Sequence, residues 1–356
     1  MAGGYWVRIV IAAVLIGLPA AGEEPSARPY WRTIVRGTHG MVAAEHPLEA
    51  MAGVEALKAG GNAIDAALAV FYMTAVVEQH QQGLGGDCFV LAYIAKEKRV
   101  VFFNGTGPAP AGATLEVYRK LGGIPVNGPF AVSVPGAVGG FDLAWKKYGS
   151  LDYATLLKPA IAAASEGHVL SEWSASHYTE AYPVLSKYPS SVRALLPGGK
   201  PPRAGDLLVQ SDLGRSIETI ARQGADAFYR GPIAHLTADT YTKAGGVLRY
   251  EDLAAYHAEQ AEPIHTNYKG YEVYESAPNS QGIVLLIALN IVEGMDLKSM
   301  GFGSPGYLHS LTEALKLAFA DRDQYIADPR VAGEIPVAGL LSKEYAAARR
   351  KLIRPD

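Results

Sequence analysis

The sequence predicts an α+β protein, and three observations carry that reading. Helical spacing of apolar residues dominates the chain, the strand-like runs come as two hairpins rather than in β-α-β alternation, and Gly-Gly, Gly-Pro or Pro-Gly pairs punctuate the elements. With 356 residues, 49% of them apolar and 19% charged, the chain can bury enough surface to offset the entropy of ordering. Its net charge of −3 includes no basic block, which removes the footprint that nucleic acid or an anionic membrane requires. A single cysteine, Cys88, excludes an internal disulfide and a cysteine-cluster zinc site.

The elements follow in order. Arg8, the apolar run from Ile9 to Leu18 and the small residues Ala20-Ala21-Gly22 read as a cleavable export signal over residues 1–22, with 23–356 as the mature, periplasmic or secreted part. The run falls short of the ~20 residues of a membrane-spanning helix, so no stable span is expected after cleavage; an uncleaved anchor or a buried helix is the alternative. Pro47 suits the first turn of a helix over Leu48 to Ala59, which Gly60-Gly61 stops. Asn62 caps the next helix, which runs from Ala63 to about Glu78, with Asp65 at its positive end. Beyond Gly83-Leu84-Gly85-Gly86, strands Asp87 to Ala95 and Arg99 to Phe103 form a hairpin. Pro108 to Pro135 reads as an irregular connection. Helices are expected over Gly136 to Tyr148, Tyr153 to Ser165, Leu213 to Arg222, Ala234 to Ala244 and Glu251 to Tyr256. His265 to Tyr268 and Tyr271 to Glu275 flank Lys269-Gly270 as a second hairpin, followed by an apolar helix from Gly282 to Glu293. Ser304-Pro305 opens the clearest helix, which reaches Tyr325.

Local constellations are sparse. Gly83-Leu84-Gly85-Gly86 follows a helix and precedes a strand, the reverse of a phosphate-binding loop, and fits a tight connector where two backbone segments approach, with or without a ligand beside it. The nine histidines show no metal-binding spacing, so neither a metal nor another cofactor is expected. His80, between a helix end and that connector, is a candidate substrate-binding residue, with a solvated or capping role as the ordinary alternative. Cys88 heads an apolar strand and reads as a small buried residue, against the alternative of an amidase nucleophile. Asp321-Arg322-Asp323 reads as a solvated or interhelical ion-pair network. No local set supplies a nucleophile, a base and an oxyanion site, so no catalytic residue is assigned.

Taken together, several segments resemble the gamma-glutamyltransferases, or glutathione hydrolases, of the N-terminal-nucleophile hydrolase superfamily. They are Gly40-Met41-Val42-Ala43-Ala44-Glu45-His46-Pro47, Gly60-Gly61-Asn62-Ala63-Ile64-Asp65-Ala66-Ala67, Gly83-Leu84-Gly85-Gly86-Asp87, Ala131-Val132-Ser133-Val134-Pro135-Gly136-Ala137-Val138, Asp226-Ala227-Phe228-Tyr229-Arg230-Gly231, Pro278-Asn279-Ser280-Gln281-Gly282, and the run from Glu313 to Tyr325. The resemblance covers nearly all of 37–329 in the family's order. It implies an αββα sandwich, present here in incomplete form with extensive helical elaboration, made as a precursor that cuts itself into a large and a small subunit. In such enzymes the small subunit's new N-terminal threonine attacks a γ-glutamyl amide with its own α-amine as base, and the acyl group passes to water or an amino acid.

Two departures shape the expectation. The chain stops at Arg354-Pro355-Asp356, before the family's threonine cleavage site. It therefore reads as the large-subunit portion, inactive alone, whose partners are the small subunit and a small-molecule amide. A non-catalytic half-chain that only binds a partner or ligand is the alternative. In the segment Phe103-Asn104-Gly105-Thr106-Gly107-Pro108-Ala109, Asn104 stands where the family normally carries the arginine that holds the substrate's α-carboxylate. The resemblance thus makes Asn104 a substrate-binding residue. Replacing that bidentate charge-assisted contact with a neutral amide costs about 2 to 3 kcal/mol of binding to a free carboxylate. Asn104-Gly105 and Asn279-Ser280-Gln281-Gly282 both look like the family's amidohydrolase-leaning branch, which includes oxamate-type and acylase-type members.

Overall fold

The computed structural model describes residues 35–354. The proposed export signal lies outside them. Residues 35–41 belong to a separate short unit without regular secondary structure, and everything below concerns the unit that begins at Val42.

Two reciprocal caps start the fold. In helix α1 (Pro47–Lys58), His46 Nδ1 accepts the Leu48 N–H at 3.1 Å while Glu49 Oε2 accepts the His46 N–H at 3.2 Å. In α2 (Ala63–Val77), Asn62 Oδ1 accepts the Ile64 N–H at 2.8 Å and Asp65 Oδ2 accepts the Asn62 N–H at 2.8 Å. Asp65 is fully buried and also takes the Ser150 hydroxyl at 2.6 Å and the Ser150 and Leu151 N–H groups. Burial alone would raise its carboxyl, but these hydrogen bonds outweigh it and hold the group below the ordinary carboxylate value. Apolar almost all round, α2 is the central helix of the larger core.

The first hairpin forms as expected. Strands β1 (Cys88–Ile94) and β2 (Arg99–Gly105) pair antiparallel, placing Phe89 opposite Asn104. Helix α3 (Ala137–Tyr148) covers one face, with Phe141 stacked on Phe71 of α2 at 4.5 Å. Helix α4 (Tyr153–Ser165) packs between α2 and α5 (Ser211–Gln223). β3 (Glu259–Ala261) then adds to β2, with Glu259 opposite Asn104. That third strand was not foreseen, because three residues carry no readable alternation.

A second core lies toward the C-terminus. Strands β4 (Ile264–Tyr268) and β5 (Tyr271–Glu275) turn through Lys269 and Gly270, both at positive φ as a two-residue hairpin requires. The hairpin and helices α6 (Ile283–Glu293), α7 (Pro305–Tyr325) and α8 (Lys343–Arg350) enclose this core. Ile283, Ile287 and Ile291 of α6 are buried in it, so the apolar face of α6 is already covered within this chain.

One expectation is corrected. The connection from Pro108 to Pro135 contains a helix, Leu115–Leu121, capped by the Thr114 hydroxyl and ended by Gly122 at φ +78°. Thr114 and Gly122 were its signals, obscured by the glycines and prolines around them. Helix Glu172–Leu185 also went unread, because Pro183 near its end and a mixed polar face weaken its pattern. Among the described residues, sheet is confined to one three-stranded and two two-stranded arrangements in a mixed helix and sheet fold. No described helix is long and apolar enough to cross a membrane.

Candidate functional site

β2 ends by delivering Asn104, Gly105 and Thr106 to a place where four sequence motifs meet. The Asn104 side chain closes a local turn, its Oδ1 accepting the Thr106 N–H at 3.1 Å and the Thr106 hydroxyl at 2.7 Å. Its Nδ2 donates to Asn279 Oδ1 at 3.0 Å, and Asn279 Nδ2 donates in turn to Thr106 Oγ1 at 2.9 Å. The result is a closed ring of Asn104, Thr106 and Asn279, joining segments more than 170 residues apart. Each amide uses one of its two N–H groups in the ring and keeps the second. The ring is neutral.

The glycine connector arrives beside it. Gly86 O accepts the N–H groups of Gly136 and Ala137, each at 2.9 Å, and Asp87 Oδ1 accepts the Gly107 N–H at 3.1 Å. Asp87 Oδ2 also takes the Ser133 hydroxyl at 3.5 Å. Asp87 keeps solvent contact, yet the surrounding protein pushes its carboxyl above the ordinary value, against the N–H groups and hydroxyl that favour its charge. Side-chain-free residues allow this approach: a Cβ on Gly107 would collide with the Val134 carbonyl. The close backbone approach rests on Gly107 and on Gly136, where a Cβ would meet the Gly105 carbonyl, and not on Gly83 and Gly85, where a Cβ would have open space.

Loop 276–282 is anchored from both sides. Ser280 Oγ, buried, donates to Ser276 O and accepts the Gly282 N–H, both at 3.0 Å. Gln281 Oε1 accepts from Arg322 Nη1 at 2.6 Å, tying the loop to α7. The guanidinium groups on the flanking segments already have carboxylate partners: Arg322 has Asp323, and Arg330 has Asp328 and, at 3.6 Å, Glu259. Asp321, beside Arg322 in sequence, turns inward to Arg349 at 2.9 Å and the Tyr345 hydroxyl at 2.8 Å. That is the interhelical ion pair expected from spacing.

Cys88 is a packed residue. Its Sγ lies against Gly105 and Gly140, and burial, with Asp87 nearby, pushes the thiol up to about 12. His80 stands elsewhere. Its ring stacks on His177 at 4.1 Å, with Trp173 edge-on to His177 at 4.5 Å, and burial and then His177 lower it from its ordinary value against the pull of Glu45. The structure brings together Asn104, Thr106, Asn279, Asp87 and Ser133, and does not bring His80 to them. Sequence reasoning assigned no role to Thr106, Asn279, Asp87 or Ser133; the Asn-Gly-Thr turn was the signal that could have drawn Thr106 in.

The gamma-glutamyltranspeptidase family profile matches residues 50–356. The chain belongs to the gamma-glutamyltranspeptidase family. Among curated members, the acylase ACY 1 proenzyme of Pseudomonas sp. (strain SE83) is 40% identical over 332 residues, covering 90% of this chain and 59% of the acylase. The glutathione hydrolase-like YwrD proenzyme of Bacillus subtilis (strain 168) is 39% identical, covering 88% of this chain and 59% of its own length. This chain therefore spans about three-fifths of these gamma-glutamyltranspeptidase relatives. The solved gamma-glutamyltranspeptidase of Helicobacter pylori superposes with a TM-score of 0.87 at 34% identity, covering 91% of this chain and 94% of that one. The mixed helix and sheet architecture is accordingly that of the gamma-glutamyltranspeptidases.

Proposed function

We propose that residues 23–356 are the large-subunit region of an exported gamma-glutamyltranspeptidase-family amidohydrolase, with residues 1–22 as its export signal. In this reading a complementary small subunit supplies the N-terminal threonine, which attacks the amide carbonyl with its α-amine as base. An acyl-threonine forms, the amine leaves with the transferred proton, and water or an amino acid takes the acyl group. The three-stranded sheet β1-β2-β3 is this chain's contribution to the αββα sandwich. The extent of the match to relatives named proenzymes supports the subunit reading.

The neutral ring of Asn104, Thr106 and Asn279 carries the substrate reading. Its spare amide N–H groups can bind a carbonyl or hydroxyl of the acyl donor but bring no positive charge to a free α-carboxylate. The preferred donor is therefore an amide without that carboxylate, as in an acylase. His80 stays outside this reading, since its ring stacks on His177 and not beside the Asn104 ring.

The deciding experiment pairs the chain with its complementary subunit and compares kcat/KM for a γ-glutamyl anilide and a 4-aminobutyryl anilide, which lacks only the α-carboxylate. The 4-aminobutyryl donor should be preferred, and Asn104→Arg should raise kcat/KM for the γ-glutamyl donor about tenfold. A parent enzyme that already prefers the γ-glutamyl donor, and gains nothing from arginine, would overturn this reading. The chain by itself should hydrolyse neither, because Cys88 is packed and protonated. Activity of the chain alone that Cys88→Ala abolishes would instead establish a cysteine amidase.

A further inference from the structure

Beyond Thr106 the chain makes an excursion from Pro108 to Val134 whose two ends are tied together. The Val134 N–H donates to Pro108 O at 2.9 Å, beside the contact of Gly107 with the Val134 carbonyl. On the outgoing limb, the Ala111 N–H donates to Asp252 Oδ1 at 2.8 Å and fastens the excursion to the body of the fold. Helix Leu115–Leu121 follows, and its Tyr118 hydroxyl donates to Phe130 O on the returning limb at 2.9 Å, which sets the spacing of the two limbs. Between them lies a hollow of about 630 Å³.

Its lining is apolar. Leu115, Ile124, Phe130 and Val132 supply the walls, and no charged side chain is among the described residues that line it. The polar side chains are Tyr118, already spent on Phe130 O, and Ser133. Leu115 is 64% exposed and Ile124 73%, so the walls are open to a ligand from solvent. Contiguous apolar side chains left in water mark a place where another apolar body is received.

The hollow is continuous with the Asn104 site. Ala109, in its wall, stands three residues past Thr106 of the ring, and three Cα steps span about 11 Å at most. Ser133, on the returning limb, lines the hollow and also gives its hydroxyl to Asp87, which holds the Gly107 N–H. Apolar walls of this volume beside a few placed polar groups are the usual make-up of a small-molecule site. Asn104 occupies the position that meets the α-carboxylate of a glutamyl group, which is the acyl end remote from the scissile amide. A group leading from the ring into the hollow therefore continues the acyl chain and not the leaving amine.

We propose that this hollow receives an apolar tail of the acyl donor, aryl or alkyl, that runs on past a carbonyl held at the Asn104 ring. The proposal rests on the amidohydrolase reading above and adds the class of acyl group. The test pairs the chain with its complementary subunit and compares two anilides without an α-carboxylate, N-benzoyl-4-aminobutyryl and N-acetyl-4-aminobutyryl, which differ only in phenyl against methyl. kcat/KM should favour the benzoyl donor about tenfold or more. Leu115→Asp with Ile124→Asp, both at exposed positions, should bring the ratio of the two donors to about one, whereas Leu115→Met with Ile124→Leu, which keeps the walls apolar, should retain it. Because neither donor carries the carboxylate, this ratio is independent of the γ-glutamyl comparison that tests the amidohydrolase reading. A parent enzyme that treats the two donors alike, or a preference that survives the double aspartate variant, would overturn the proposal. So would loss of small-subunit association in that variant by size-exclusion chromatography, which would assign the hollow to the subunit interface.

Discussion

The ring around Asn104 and the ion pair at Asp321 are both polar clusters that staple distant segments, yet they are built on opposite principles. The ring is neutral, partly open, and made of short side chains that keep spare donors. The Asp321 cluster is charged and turned inward, with Arg349 and Tyr345 both spent on one carboxylate. Lys343 continues the theme nearby, bridging Glu293 at 2.7 Å and the buried Asn290. Spare donors open to solvent mark a surface that can receive a ligand, whereas the Asp321 joint is closed off, with both partners on Oδ1 and with Asp321 Oδ2 and Arg349 Nε buried and unpartnered.

That contrast can be broken most severely at the joint. Asp321→Ala leaves the Arg349 guanidinium without its carboxylate, and should destabilise the fold by about 3 kcal/mol, at the low end for a buried pair because Arg349 keeps some water. Urea unfolding measures it, and a change within error would make the cluster as dispensable as a surface pair. A smaller effect is expected in the ring: Asn279→Ala removes its bonds to Asn104 and Thr106 and should cost about 1 kcal/mol. In the reconstituted enzyme the same variant should lower kcat/KM, whereas Asp321→Asn should alter stability alone.

Two further measurements sharpen the comparison. Cys88, beside the ring but packed against glycine backbone, should react with iodoacetamide at pH 8 about a thousandfold more slowly than an exposed thiol, since its folded value near 12 leaves little thiolate. Rapid labelling of the folded chain would show that this part of the site opens. Glu78 gives the smallest effect. Burial, then Glu49 and Glu45, push its carboxyl up to about 7. A raised acid stabilises the fold in its protonated form, so its contribution is present below about 4.5 and is lost as pH rises through 7. Glu78→Gln should therefore gain in urea midpoint over the parent as pH climbs through that window, and parallel profiles would contradict the assignment.

Helix starts and hairpin turns were legible because their signals are local. Asn62 and Asp65, Ser304 and Pro305, and Lys269 and Gly270 each act within a few residues, through caps and backbone angles that the sequence spells out. Weak or brief elements escaped: the helix Leu115–Leu121 was hidden among glycines and prolines, and β3 has only three residues. Asn104 was singled out only through the family resemblance of its segment, and its partnership with Asn279 was not legible, because that bond closes only when β2 and loop 276–282 are brought together.

By itself the sequence determined most of the helical and hairpin elements, the single thiol and the net charge of −3, since each depends on composition or on neighbours a few residues apart. Tertiary structure decided which polar residues would be spent and which left with capacity. Asp321 and Asn104 look alike as polar residues in motif-like runs, and packing alone turned one inward to Arg349 and set the other in an open ring. Burial and partner geometry are long-range properties, and they control whether a charge is stabilised, a proton retained or a donor left free.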